Sequence, residues 1–255
     1  MTTVIEETAP PPGPDQPLGT FERMGGVLYS PDDTFADIAR KPNVLAPLVI
    51  FFVISVVSAV VLVPRMDFQT MMRDNMERSG KASQMSPGDM DRAVRIGSSF
   101  AKVIAYTSPV LAIGIWALIA GAIFLTFRMF GAEGTYKQAF SVTLYAWVPL
   151  LINNIIGMVV AFTKPSLNPE EMGTLVASNG GAFVDLHAHP VLFSFLSSID
   201  LFTIWTVVLL IIGFAHVART SKARSAAVVL SWWFVLVFFK VGFAALGAMR
   251  MKAGS

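Results

Sequence analysis

The chain has 255 residues, of which 54% are hydrophobic and only 14% charged, against roughly 45–50% and 25% in ordinary soluble domains. The formal net charge is +2 and the basic residues sit beside apolar runs rather than in one block, which argues against nucleic acid and for anionic lipid headgroups as the partner of those charges. Cysteine is absent, which excludes disulfides, zinc–thiolate sites, thiol nucleophiles and palmitoylation.

Residues 1–20 include the stretch APPPGPDQP, whose prolines favour an extended backbone and which offers almost nothing to bury, so a disordered proline-rich tail is expected there. The polar, acidic start does not read as a cleavable signal peptide, and the first apolar run is expected to stay in the mature protein. Ser30-Pro31-Asp32-Asp33 then reads as an N-cap, a proline at the first helical position and acids in the first turn. Phe35 and Ile38 share a face, preceded by Phe21, Met24, Val27 and Leu28. The pattern predicts a short amphipathic helix lying in the membrane interface, ended by Pro42.

A bilayer core about 30 Å thick needs roughly 20 apolar residues in a helix. Residues 44–63, 104–127, 140–162, 199–218 and 226–249 meet that length, and 250–255 form a short tail. The expected fold is therefore all-α: a polytopic integral membrane protein with five transmembrane helices in a bundle, accompanied by short interfacial helices. Within the fourth run, Leu201–Val217 carries no Asp, Glu, Lys or Arg, and the rest of the chain is expected to organise around it.

Between the first two spans Phe68, Met71, Met72 and Met76 recur at helical spacing, with Arg73, Asp74, Glu77 and Arg78 between them. This is a surface helix resting its Met side on lipid or on the bundle, or alternatively a face for a partner helix. Ser86-Pro87-Gly88-Asp89 repeats the helix-start signal, and the helix it opens is expected to run straight into span two. Pro109 is a kink candidate inside that span, and Gly114, Ala117 and Gly121 allow close helix approach. The glycines at 131 and 134 predict a tight turn, making spans two and three an antiparallel hairpin.

Span three contains a second kink candidate, Pro149, and two interhelical hydrogen-bond candidates, Asn153 and Asn154. Adjacent amides cannot share one helix face, so at most one points directly at a given neighbour. In the loop at 164–190, Asp185, His187 and His189 alternate as metal ligands on an extended segment would, yet no fourth ligand lies nearby and no metal is assigned. Gly242, Ala244, Ala245, Gly247 and Ala248 make the far end of span five small-faced.

Lys240 is the formal charge most clearly inside an apolar run, a position read as functional by default. Counted from the basic turn at 219–224, Asp200 lies about 28 Å back and Lys240 about 24 Å on at 1.5 Å per residue. Asp200 and Lys240 are therefore candidates for an intramembrane polar pair or a shared polar pocket. The alternative is that Lys240 snorkels to headgroups while Asp200 caps span four. Arg40, Lys41, Arg128, Lys137, Arg219, Lys222 and Arg224 flank short turns on one side, which favours a cytoplasmic N-terminus and an external C-terminus.

These residues together resemble the Yip-domain family of five-span membrane proteins, in its prokaryotic branch. The resemblance is carried by Ser30-Pro31, Phe35 and Lys41-Pro42, by residues 131–140, by Tyr145 and Pro149, and above all by Ile199-Asp200-Leu201-Phe202-Thr203-Ile204-Trp205, Gly213 and Ser221-Lys222-Ala223. It implies a five-helix bundle with a cytoplasmic N-terminus. Eukaryotic relatives are associated with vesicle traffic and Rab-type GTPases, but the acidic, aromatic N-terminal motif that goes with them is missing here, so GTPase binding does not carry over.

No HExxH, GxSxG, P-loop or paired intramembrane acid occurs, so no catalytic residue and no cofactor is assigned. The expected function is that of a non-enzymatic membrane organiser, adaptor or scaffold that binds lipid or other membrane proteins, a second copy of itself included. The expected location is the bacterial cytoplasmic membrane. The alternative is a small permease or channel component with its polar site around Asp200 and Lys240.

Overall fold

The structure, a computed structural model, describes residues 17–253, so the tail expected at 1–20 lies outside the described residues as far as residue 16. Among the described residues ten α-helices follow one another: α1 (Thr20–Tyr29), α2 (Pro31–Arg40), α3 (Leu45–Leu62), α4 (Phe68–Arg78), α5 (Pro87–Met129), α6 (Tyr136–Ala146), α7 (Val148–Phe162), α8 (Pro190–Leu196), α9 (Leu201–Val217) and α10 (Lys222–Ala253). No strand occurs among the described residues, only isolated bridges such as Met66 with Leu167. The protein is an all-α polytopic membrane bundle.

Local chemistry sets the helix starts. Ser86 Oγ accepts from Asp89 N at the head of α5, which continues unbroken for 43 residues. Gly131 closes α5 at φ 77°, with Ala132 N donating to Phe127 O, and Thr135 with Gln138 forms a capping box that opens α6. Ser30 precedes α2 as expected, but its hydroxyl donates to the Asp33 carboxylate and accepts no backbone N–H.

The two prolines act differently. α5 passes through Pro109, and Ser108 Oγ donates to Ala105 O, the carbonyl that proline's missing N–H leaves free. At Pro149 the helix is interrupted: Trp147 N bonds back to Leu144 O in a tightened turn, and the expected third span becomes α6 and α7.

Leu45–Arg65, Pro87–Met129, Tyr136–Phe162 and Lys222–Met249 are each long and apolar enough to cross a membrane, whereas Leu201–Val217 is shorter. The 17 residues of α9 rise about 26 Å, just under the hydrocarbon thickness. This helix, short for a span, is also the centre of the bundle, packed by α2, α6, α7 and α10. Close approach is possible because residue 213 is glycine: a Cβ there would lie 2.3 Å from Val142 Cγ1 and 3.0 Å from Phe35 Cδ1. Next to it Phe127 stacks on Phe214 with centroids 5.8 Å apart.

α2 adds a detail that its own sequence does not carry. Its apolar face is buried against α6 and α9, with Phe35 and Ile38 fully covered. Against a water-exposed alternative, burial stabilises by about 1.5–3 kcal/mol for each such side chain. Ser141 Oγ and Gln138 Nε2 on α6 complete the attachment, donating to Asn43 O (2.9 Å) and Ala39 O (2.6 Å). α4 lies along α5, with Met72 against Gly97 and Phe68 buried, so the Met side rests on the bundle.

Candidate functional site

Polar chemistry gathers at the two ends of α9. At its start, Asp200 accepts from Thr203 N (2.9 Å) and from Ser178 Oγ, while Leu201 N donates to Ser178 O. Lys240 Nζ donates to Ser197 Oγ at 2.9 Å. Asp200 and Lys240 thus converge on the same short segment, yet no ion pair within 4 Å joins them among the described residues; Asp200 is the cap of α9. The reason is local: three backbone or hydroxyl donors reach the carboxylate first, and the ammonium meets Ser197 one turn earlier.

Close by, Glu170 gathers Arg78 (3.3 Å), His187 (3.2 Å) and Asn75 (3.0 Å), tying the 164–190 loop to α4. Asp185 accepts from the backbone N–H groups of Ala188 and His187, which hold its carboxyl below the usual range. His187 turns to Glu170 rather than sharing a ligand set with Asp185 and His189, and no group of three potential metal ligands occurs among the described residues.

Asn154 Oδ1 accepts from Ser58 Oγ on α3 at 2.8 Å, a bond between α7 and α3. Its neighbour Asn153 turns away, and its Oδ1 is buried without a partner among the described residues.

The other end of α9 holds the residues that sequence reasoning missed. Arg23 on α1 and Asp37 on α2 form an ion pair at 2.7 Å with side chains only 3% and 9% exposed. Read singly, each helix shows this residue on a polar face; only packing α1 against α2, α6 and α7, with α2 on α9, buries the pair. His216 Nε2 lies 3.0 Å from Asp32 Oδ1, and Lys222 Nζ reaches the same oxygen at 3.0 Å. Hydrogen bonds from His216 and then Lys222 hold the Asp32 carboxyl below the ordinary carboxylate range.

Arg219 is the residue that breaks a local rule. It sits at φ 48° just past α9, with Thr220 N donating to Ala215 O in a Schellman closure. Glycine is the usual occupant there, and an L side chain costs about 1–2 kcal/mol. Arg219 NH1 meets Glu133 Oε2 at 2.7 Å, joining the 131–134 turn to the α9–α10 turn.

The chain matches the Yip1 domain over residues 25–243, which takes in every helix from the middle of α1 to well into α10. The chain belongs to the Yip1-domain family. Among relatives of this Yip1-domain protein, "Membrane protein YknW" of Bacillus subtilis (strain 168) is 26% identical over 221 residues, covering 85% of this chain and 87% of the relative. "Uncharacterized protein MJ0794" of Methanocaldococcus jannaschii is 31% identical over 75 residues, 29% of this chain and 53% of the relative. No solved structure matches. In this Yip1-domain chain the residues that carried the resemblance lie at structural joints: Phe35 and Gly213 touch across α2 and α9, Tyr145 is fully buried on α6, and Asp200 caps α9.

Proposed function

We propose that this Yip1-domain protein is a non-enzymatic membrane organiser, an adaptor or scaffold that presents helix faces to other membrane proteins or to a second copy of itself. The carrying observation is α10. Within the chain it contacts mainly α8 and α9, and its outer half leaves Gly242 and Gly247 with no atom near where a Cβ would stand. Phe238, Phe239, Phe243 and Leu246 are exposed along the same stretch. Small residues in a membrane helix earn close approach only when another helix is there to approach.

The reading places five spans in a bacterial cytoplasmic membrane, with the N-terminus and the basic end of α9 in the cytoplasm and the C-terminus outside. A permease is less well supported, because Asp200 and Lys240 each turn to a local serine or backbone partner rather than lining a common path. Crosslinking in the native membrane, followed by identification of what is captured, tests the organiser. Reproducible capture of one partner or of itself, lost on Gly242→Leu, is expected; capture of lipid alone refutes it.

A further inference from the structure

At the basic end of the bundle a cavity of about 700 Å³ opens between the end of α5 and the start of α10, within the range of small-molecule sites. Its walls are chemically divided. Phe127, Phe130, Ala227 and Val228 supply an apolar floor, and Arg219 and Arg224 stand among its lining residues. Arg128, outside the lining, holds the turn in place by donating to Ala132 O at 3.2 Å. Two arginines thus share the lining with one carboxylate, Glu133, which engages Arg219; the guanidinium of Arg224 has no acidic partner among the described residues.

We infer that this cavity is a binding site for an anionic glycerophospholipid, the phosphate held by Arg219 and Arg224 and one acyl chain laid on the floor from Phe127 to Val228. Charge and depth both select this occupant. A free phosphate would leave the apolar floor uncovered, and a neutral lipid would leave the surplus guanidinium charge unmatched. Guanidinium forks hold phosphate oxygens in two-point hydrogen bonds that lysine does not reproduce. The site lies where both hairpin turns end, which in a spanning bundle is headgroup depth.

The backbone adds a second, independent observation. Arginine is kept at a left-handed position that glycine fills without strain. Retained strain at one residue points to a task for its side chain, and the Glu133 pair, with both side chains more than two-thirds exposed, is too solvated to be that task. The inference deepens the organiser reading and rests on it for its consequence, a lipid-tuned scaffold; the binding itself is tested apart from any protein partner.

The test uses the purified full chain and vesicles of phosphatidylcholine with or without phosphatidylglycerol, read as lipid retained per protein by native mass spectrometry. Preferential retention of phosphatidylglycerol is expected. Arg219→Gly relieves the strained backbone, so it should keep or raise thermal stability while lowering that preference on the order of tenfold, the loss of one charge-assisted contact. Arg224→Gln should act similarly, and Ala227→Trp, which fills the floor, should abolish retention. Lys137→Gln, at the same end and outside the cavity, should change nothing. Equal retention of both lipids, an Arg219→Gly protein that binds as well as wild type, or displacement by glycerophosphoglycerol, which has the headgroup and no acyl chain, would each overturn the inference.

Discussion

Gly213→Ala is the sharpest test of how the bundle is held together. The added methyl would stand 2.3 Å from Val142 Cγ1 and 3.0–3.2 Å from two Phe35 ring atoms, against a normal contact of about 3.5–4.0 Å. Neither neighbour can move far, since both are fully buried, so α9 must shift away from α2 and α6 together. Overpacking of this kind costs about 1–3 kcal/mol, and the shortfall here exceeds 1 Å, which puts the expectation at the upper end, about 2–3 kcal/mol. Alanine is the better helix former by roughly 1 kcal/mol, so helix propensity alone predicts the opposite sign. Thermal unfolding in detergent decides between them. At about 2–4 °C per kcal/mol for a chain of this size, the midpoint should fall by roughly 4–12 °C. Gly242→Ala, with nothing near its Cβ, is the control and should be neutral or slightly stabilising. A Gly213→Ala protein as stable as wild type would refute the reasoning, because α2, α6 and α9 would then not meet there.

Asp37→Asn should cost about 3–5 kcal/mol by stranding the buried Arg23 guanidinium, and limited proteolysis should then cut between α1 and α3 sooner; Arg23→Met with Asp37→Leu should recover much of the loss. The folded Asp32 carboxyl is depressed, so its contribution is present above the unfolded value of about 3.9 and lost as pH falls through the lower folded value. Hydrogen exchange of α2 should therefore rise in that acidic window, and Asp32→Asn should remove the acid-dependent step. Because Asp200 and Lys240 have different partners, the stability losses of Asp200→Asn and Lys240→Met should add within about 0.5 kcal/mol in a double-mutant cycle. A coupling above about 1 kcal/mol would mean that they pair in the membrane.

Much of the architecture was legible because it rests on length, period and caps. The apolar runs, the uninterrupted entry of α5 into the membrane, the 131–134 turn and the break at Pro149 all follow from residues within a few positions of one another. Pro109 shows the limit: the same residue type leaves its helix continuous, since Ser108 is placed to cover the freed carbonyl. What could not be read was three-dimensional partnership. Asp200 and Lys240 were brought to similar depth by counting residues, but rotation about the helix axes, which counting does not supply, sends each to a serine. Arg23 with Asp37, and Asp32 with His216, required knowing that α1 packs on α2 and that α2 docks on α9. Arg219 did carry a signal in sequence: an arginine where the end of a helix ordinarily takes glycine.

α5 has a mechanical meaning beyond packing. Its 43 residues extend about 65 Å, roughly twice the hydrocarbon thickness, so about half of its length exceeds what a bilayer core spans. The antiparallel α4 is strapped to it by Arg73 with Asp91 at 2.7 Å and by Met72 in the notch at Gly97. Together they form a stiffened lever arm. A load applied at its far tip would be delivered into the bundle as tilt, and Pro109, where one rung of the hydrogen-bond ladder is missing, is where the arm would bend.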